Sequence, residues 1–311
     1  MVVEVSLKLS DSEWRYRIVF TQRIIGGHSA GNTSQPNMPV LKEEKVWKNN
    51  VIIVDRPTTE DNADELRMTQ TVLEQINANK EFRDISDFFA SVRYLHLVPQ
   101  LVREPDRSVG RSFDPYGGDF LDQLAKAPKR TRESRLRKIQ DALKIIVPQL
   151  TELKFEQDPK NGLPHLKGLY EHWRKNAGWQ SEDQFSDGTL RLIGLLWSLQ
   201  DGAGPLLMEE PELSLHNEVV RHLPQAMVKV MKKTNRQLFI STHSHEMLSD
   251  EGIAPEEILM LMPTAEGTQI KTGVQDPTLV AIVEAGGSVA DIVLSKTSPI
   301  KNTQLDLFEL L

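Results

Sequence analysis

Apolar residues in this chain fall into short blocks that end in polar ones, and the periods of those blocks predict an α/β protein. Val3–Leu9 and Trp14–Phe20 alternate apolar and polar residues around Ser10-Asp11-Ser12-Glu13, the pattern of a β-hairpin, and Val46–Val54 adds one or two strands. From Thr58 to about Lys80 the chain turns polar and helix-forming, with Leu66, Met68, Val72, Leu73 and Ile76 at roughly helical spacing, so one helix is expected there. Val92–Val98 predicts a strand, and residues 103–118, rich in Arg, Asp, Gly and Pro, predict a loop. A helix carrying Ile139, Leu143, Ile145 and Ile146 follows, then a second hairpin whose strands, Leu153–Phe155 and Leu166–His172, flank Asp158-Pro159-Lys160-Asn161-Gly162.

The densest pattern lies between Phe185 and Glu246. Ser186-Asp187-Gly188-Thr189 opens a helix in which Leu190, Leu192, Ile193, Leu195, Leu196, Trp197 and Leu199 are apolar almost all round, so the helix lies under other structure and holds the turn rigidly. Pro205-Leu206-Leu207-Met208 runs straight into Glu209-Glu210, and Leu238-Phe239-Ile240 into Ser241-Thr242-His243. Short apolar runs without alternation predict buried strands of a largely parallel sheet, here separated by a helix from about Asn217 to Lys233. Such strands deliver their polar residues at the C-terminal edge of the sheet, where α/β folds bind ligands, so Glu209, Glu210 and His243 should converge. After them come strands near Ile258–Met262 and Gln269–Lys271, a helix near Leu279–Glu284 and a Gly286-Gly287-Ser288 turn.

Composition narrows the picture. The chain has 311 residues, 39% hydrophobic and 26% charged, which is ordinary for a globular protein and long enough for two domains. No apolar run reaches the length of a membrane helix, and the N-terminus lacks a basic-then-apolar signal, so no membrane partner is expected and the compartment is read as cytoplasmic. Zero cysteines exclude disulfides, thiolate chemistry and Cys-ligated zinc. His243 and His245 have no compact third ligand, which argues against a metal pair. A net charge of −7 excludes a uniformly basic nucleic-acid binder, but Lys126, Lys129, Arg130, Arg132, Arg135, Arg137 and Lys138 form one basic run with Glu133 as its sole acid. The run reads either as a solvated helix face or as a phosphate-contacting patch for nucleic acid.

The order SDGT, then LLMEEPELSLH, then ISTHS resembles the C-terminal half of an ABC-type ATPase, close to the AAA-family ATPases of the OLD, RecF and SMC-like groups. The resemblance implies an α/β P-loop NTPase-like sheet with helices on both faces, an antiparallel β-subdomain and a helical insertion. It places the subdomain over 1–57, the insertion over 58–148 and the ATPase core over 149–311. Ser186, Asp187, Gly188 and Thr189 resemble the signature motif, which in that family reaches across a dimer to the γ-phosphate of ATP. A hydroxyl, a glycine and helix N-terminal N–H groups suit an anion. Glu209 takes the Walker B position that supports Mg²⁺, Glu210 resembles the residue that activates water, and His243 the switch histidine. Leu213-Ser214-Leu215-His216 resembles the D-loop, with Ser214 at the dimer interface, and Pro99-Gln100 falls where a glutamine loop would lie. Without its strand context, the Glu-Glu-Pro-Glu run reads as a solvated turn; behind a buried apolar strand it reads as a site.

One motif is missing. A G-x-x-x-x-G-K-[ST] loop is needed to cradle the phosphates, and the sequence contains none; Gly26-Gly27-His28-Ser29-Ala30-Gly31-Asn32-Thr33-Ser34 has no lysine and reads as an ordinary loop. The family's P-loop precedes the equivalent of residue 1, so the chain is expected to lack that part, and its parallel sheet to have an unpaired edge. Three readings stay open: an ATPase using ATP and Mg²⁺ at sites shared by a homodimer, a hydrolysis-incompetent half serving as a regulatory or scaffold subunit, or a nucleic-acid-binding component using the 126–138 run. An effector protein, and a role in phage defence or DNA maintenance, follow from the resemblance alone.

Overall fold

The computed structural model describes residues 1–23, 38–75, 80–104, 114–172 and 178–298. The chain divides into two compact units, Met1–Val92 and Arg93–Leu311. The Gly26–Ser34 segment, Ile76 and most of the 103–118 loop lie outside the described residues.

The first unit is an antiparallel meander of β1 (Val2–Leu9), β2 (Ser12–Arg23), β3 (Met38–Lys48) and β4 (Val51–Arg56), followed by the short helix α1 (Thr59–Ala63) and by α2 (Arg83–Ser91). The hairpin reads as its alternation predicts, with Leu7 opposite Trp14 and Val5 opposite Tyr16. Trp14, Tyr16 and Val46 from the sheet pack with Phe82 and Ile85 in a small core. The single helix expected from Thr58 onward is not formed: after α1 the chain makes 3-10 turns at Glu65–Thr69 and Val72–Glu74. Local polar side chains take the backbone groups a continuous helix would use, because Asp64 accepts from Leu66 N–H and Glu74 from Thr71 N–H. The buried Arg56 guanidinium completes the break by donating to the Arg67 and Gln70 carbonyls, while also gripping Glu44 and Asp61.

In the second unit, β5 (Arg93–Leu95) leads into α3 (Pro99–Arg103), α4 (Phe120–Lys126) and α5 (Lys129–Ile146). An antiparallel sheet of β6 (Leu150–Gln157), β7 (Pro164–Tyr170) and β8 (Trp179–Ser181) follows, the last a strand that three residues of sequence pattern could not announce. Then come α6 (Asp187–Gln200), β9 (Leu206–Glu209), α7 (Asn217–Val220), α8 (Leu223–Thr234), β10 (Leu238–Ser241) and α9 (His245–Leu248). The expected 217–233 helix is two helices, since Pro224 lacks the N–H that would continue the first and sits instead in the opening turn of the second. The hairpin β11 (Leu259–Thr264) and β12 (Gly267–Thr272), with α10 (Pro277–Glu284) and α11 (Ala290–Thr297), builds a separate small core around Met260 and Leu279.

α6 runs through the main core with Leu190, Ile193, Leu195 and Trp197 almost wholly buried, as its all-round apolar pattern predicts. Strands β10, β9 and β5 lie in that order and are all parallel. Leu206 and Met208 of β9 are buried, but Phe239 and Ile240 of β10 are 46% and 37% exposed. The expectation that β10 is covered on both faces is therefore corrected. Among the described residues it is an edge strand, paired on one side only. No helix of the described residues is long and apolar enough to cross a membrane.

Candidate functional site

The C-terminal ends of β9 and β10 bring the predicted polar residues together. The register sets Ser241 opposite Glu209, and the Glu210 N–H donates to the Ser241 carbonyl at 2.9 Å. That bond carries the sheet one residue past the strand and fixes where Glu210 leaves it. His243 Nδ1 then lies 2.6 Å from Glu210 Oε1, with the histidine largely exposed and the glutamate mostly covered. Glu210 adopts φ 44 and Ser214 φ 62, left-handed values uncommon for residues with a β-carbon. Strain of this kind persists only where surrounding structure over-determines it.

Glu209 points to the other side of the strand and meets β5. The Tyr94 hydroxyl donates to Glu209 Oε2, and His96 Nδ1 lies 3.9 Å from the same oxygen. That carboxylate, as acceptor, pushes the Tyr94 phenol up to about 12. Neither Tyr94 nor His96 was singled out from the sequence. Their spacing of two at a strand end put both side chains on one face, but only the pairing of β5 with β9 shows that the face meets Glu209.

Ser186 is the N-cap of α6: its Oγ accepts from Thr189 N–H at 3.1 Å and lies 2.8 Å from the Thr189 hydroxyl. Asp187 stands in the first turn and accepts from Arg103 Nη2 at 2.7 Å, the same nitrogen donating to the Phe185 carbonyl at 2.7 Å. Arg103, from α3, thus clamps the turn from outside, a second contact the sequence did not announce. Gln100 lies in α3 as well, 3.4 Å from Arg103 Nη1. Gly188 packs against the turn after β9, where an added β-carbon would stand 2.5 Å from the Ser214 carbonyl oxygen. The turn is itself closed by Leu213 N–H to Glu210 O and Leu215 N–H to Glu212 O, and His216 caps α7. Signature-like turn and D-loop-like turn are therefore in backbone contact.

Two buried charged residues support the arrangement from beneath. Glu212 accepts from the Thr242 hydroxyl, whose oxygen in turn accepts from Ser244 N–H at 3.0 Å, so the loops on either side of Glu210–His243 are tied together. Arg191, one turn into α6, is buried; desolvation lowers its pKa and the carboxylates of Asp187, Glu210 and Glu212 oppose that shift. Glu209 and Glu210, successive carboxylates at the end of β9, are groups suited to a hydrated divalent cation and to proton transfer from water. Among the described residues no group of three or more His, Asp or Glu is placed to hold a metal ion. An open carboxylate edge still fits Mg²⁺, which keeps several waters and takes one or two protein carboxylates. The basic run splits: Arg132 turns inward to the Leu124 carbonyl and the Phe155 ring, Arg135 to Asp201 and Trp197, whereas Lys126, Arg130, Arg137 and Lys138 stay exposed.

A parallel sheet with successive carboxylates at its C-terminal edge, beside a capped glycine turn at a buried helix, accords with a nucleotide-binding domain of AAA type, the class that the family match shows. The family model described as "AAA domain, putative AbiEii toxin, Type IV TA system" matches residues 1–249, and the chain belongs to that family. Among solved structures it is similar to an SmcHead bound to the C-winged helix domain of ScpA, at 12% identity over 84% of this chain and 73% of that one, with a TM-score of 0.43. The SMC head domain from Thermotoga maritima is 11% identical over 85% and 74%, with a TM-score of 0.37. An ATP-binding cassette of an ABC transporter in its ADP conformation is 13% identical over 79% and 78%, with a TM-score of 0.36. No curated protein matches the chain.

Proposed function

We propose that this chain supplies the water-activating and signature parts of an ABC-type ATPase whose sites are shared between two copies. The 2.6 Å pairing of Glu210 with His243 at the C-terminal edge of β9 and β10 carries the reading. Glu210 accepts the proton of the attacking water, and His243, 2.6 Å from it, orients that carboxylate and faces the terminal phosphate of ATP. Glu209 would hold Mg²⁺, which neutralises charge on the β- and γ-phosphates when bound, and Tyr94 and His96 set the position of the Glu209 carboxylate. Ser186, Asp187, Gly188 and Thr189 present the N-terminus of α6 to an anion, with Ser214 beside them on the face that meets a second copy. ATP then favours the closed dimer and hydrolysis releases it, a shape change available to an effector in phage defence or DNA maintenance.

The exposed, one-sided β10 favours a second reading, in which the chain is one half of a split ATPase and the phosphate-cradling lysine lies on another polypeptide segment. Phe239 and Ile240, on opposite faces of a strand paired on one side only among the described residues, support it, because edges that stay free are normally blunted by charge or proline. ATP turnover by the purified chain, alone and with a segment carrying G-x-x-x-x-G-K-[ST], separates the two. Under either reading Glu210→Gln lowers the turnover of the competent form by about 10²–10⁴-fold. Turnover that survives this change would remove Glu210 from the role.

A further inference from the structure

α5 and α8 each pack on α6, leaving between them a groove of about 550 Å³. Its floor is aliphatic, made by Leu196 and Leu199 of α6 and Val230 of α8, and its rim is cationic, with Arg130 and Lys138 on one side and Lys233 on the other. These three cations make no ion pair among the described residues, and no carboxylate lines the groove; the neighbouring acids Glu133 and Asp201 are engaged by Lys129 and Arg135. The Gln200 side-chain oxygen, at the same groove, is buried without a hydrogen-bond partner.

We propose that this groove docks an acidic amphipathic helix of a partner protein. Arg130 and Lys138 are eight residues apart on one face of α5, so the cationic rim is about 12 Å long, roughly two helical turns. An incoming helix of that length places two or three apolar side chains at i, i+3 and i+4 on the aliphatic floor, and its flanking glutamates or aspartates reach the two rims. Charge complementarity selects the partner's sign, and the uncharged floor selects its amphipathic pattern. Nucleic acid fits less well. Single strands are held by aromatic stacking platforms, which this floor lacks, and duplex phosphates gain nothing from three aliphatic side chains. The inference does not depend on nucleotide hydrolysis.

The test uses the full chain and a panel of fluorescently labelled peptides of about 14 residues, with leucines at i, i+3, i+4 and i+7 flanked by glutamates, each beside its scrambled isomer. Fluorescence anisotropy should show at least one peptide binding about tenfold more tightly than its scrambled form, with association slowed by added salt. The double variant Lys138→Glu, Lys233→Glu, checked for an unchanged melting temperature, should lose that preference, and Val230→Ala should weaken it several-fold. A duplex of DNA is measured in parallel. The proposal is overturned if no peptide outbinds its scrambled isomer, if the double variant binds as before, or if duplex binds in preference to every peptide and that binding is lost in the double variant.

Discussion

A β-carbon on Gly188 would stand 2.5 Å from the carbonyl oxygen of Ser214, closer than real side chains approach a backbone oxygen. The atom in the way is main chain in a turn closed by its own hydrogen bonds, so it cannot swing aside as a side chain could. Gly188→Ala should therefore cost about 1–3 kcal/mol, the usual penalty of overpacking, and displace the 210–216 turn. Urea unfolding measures the loss. Gly188 lies within a buried helix where alanine would otherwise be favoured, so a stabilised variant would show that the two turns separate freely.

Glu210 at φ 44 makes a second backbone prediction. Left-handed geometry costs a residue with a β-carbon about 1–2 kcal/mol and costs glycine almost nothing. Glu210→Ala and Glu210→Gly both delete the carboxylate and its contact with His243, so the difference between them isolates the backbone. The glycine variant should be the more stable by about 1 kcal/mol in matched urea titrations, although both should be inactive. Equal midpoints would mean that the turn relaxes once the carboxylate is gone.

What the sequence announced here, and what it hid, divides along the range of the interactions. α6, β9 and the first hairpin are legible because a single periodicity settles each of them, and the polar residues at the ends of β9 and β10 follow from strand direction. The segment after Thr58 misleads because its helical spacing is genuine, while Arg56 removes two of its carbonyls. Tyr94 and Arg103 are invisible as site residues for a related reason. Their partners Glu209 and Asp187 lie far along the chain, and only the pairing of β5 with β9 and the approach of α3 to α6 bring them together. Exposure of β10 was not legible in LFIS itself, because an apolar run of four gives no sign of which strands flank it.

Arg56 is the anchor of the first unit. It is nearly buried, with Glu44 and Asp61 buried around it, and its five contacts use the whole guanidinium fork. Arg56→Met would leave Glu44 without its cation, Asp61 with only the half-exposed Arg67, and two carbonyls without a donor, a loss of about 3–5 kcal/mol. Arg56→Lys restores the charge but not the fork, so it should recover only part of that stability. Hydrogen exchange should locate the loss in residues 1–75, and an Arg56→Lys protein as stable as the parent would refute the geometric argument.

Two carboxylates make stability depend on acid pH. Hydrogen bonding to Lys296 holds Asp276 down at about 2, and Arg56 holds Asp61 well below the ordinary carboxylate range. Both ionise more readily folded than unfolded, where the group titrates near ~4. Their contribution is therefore complete above pH ~4 and drains away as pH falls through ~4 towards ~2. Melting temperature should drop across that window, and Asp276→Asn should flatten the drop while lowering stability at neutral pH. A variant whose slope equals the parent's would show that Lys296 does not distinguish the charged from the neutral form.

Tyr94 offers a reading of Glu209 that needs no turnover. Its phenol is raised to about 12 chiefly because its hydroxyl donates to the Glu209 carboxylate, with burial a lesser cause. Loss of the phenolic proton would set two negative oxygens against each other, which is why the acid form is favoured. In Glu209→Gln the acceptor stays but its charge goes, so the phenol should fall towards the ordinary ~10. Ultraviolet difference titration follows the ionisation, and Tyr94→Phe identifies which transition belongs to this residue. Were the phenol to stay high in Glu209→Gln, burial would be its cause, and Tyr94 would not position the carboxylate proposed to hold the metal.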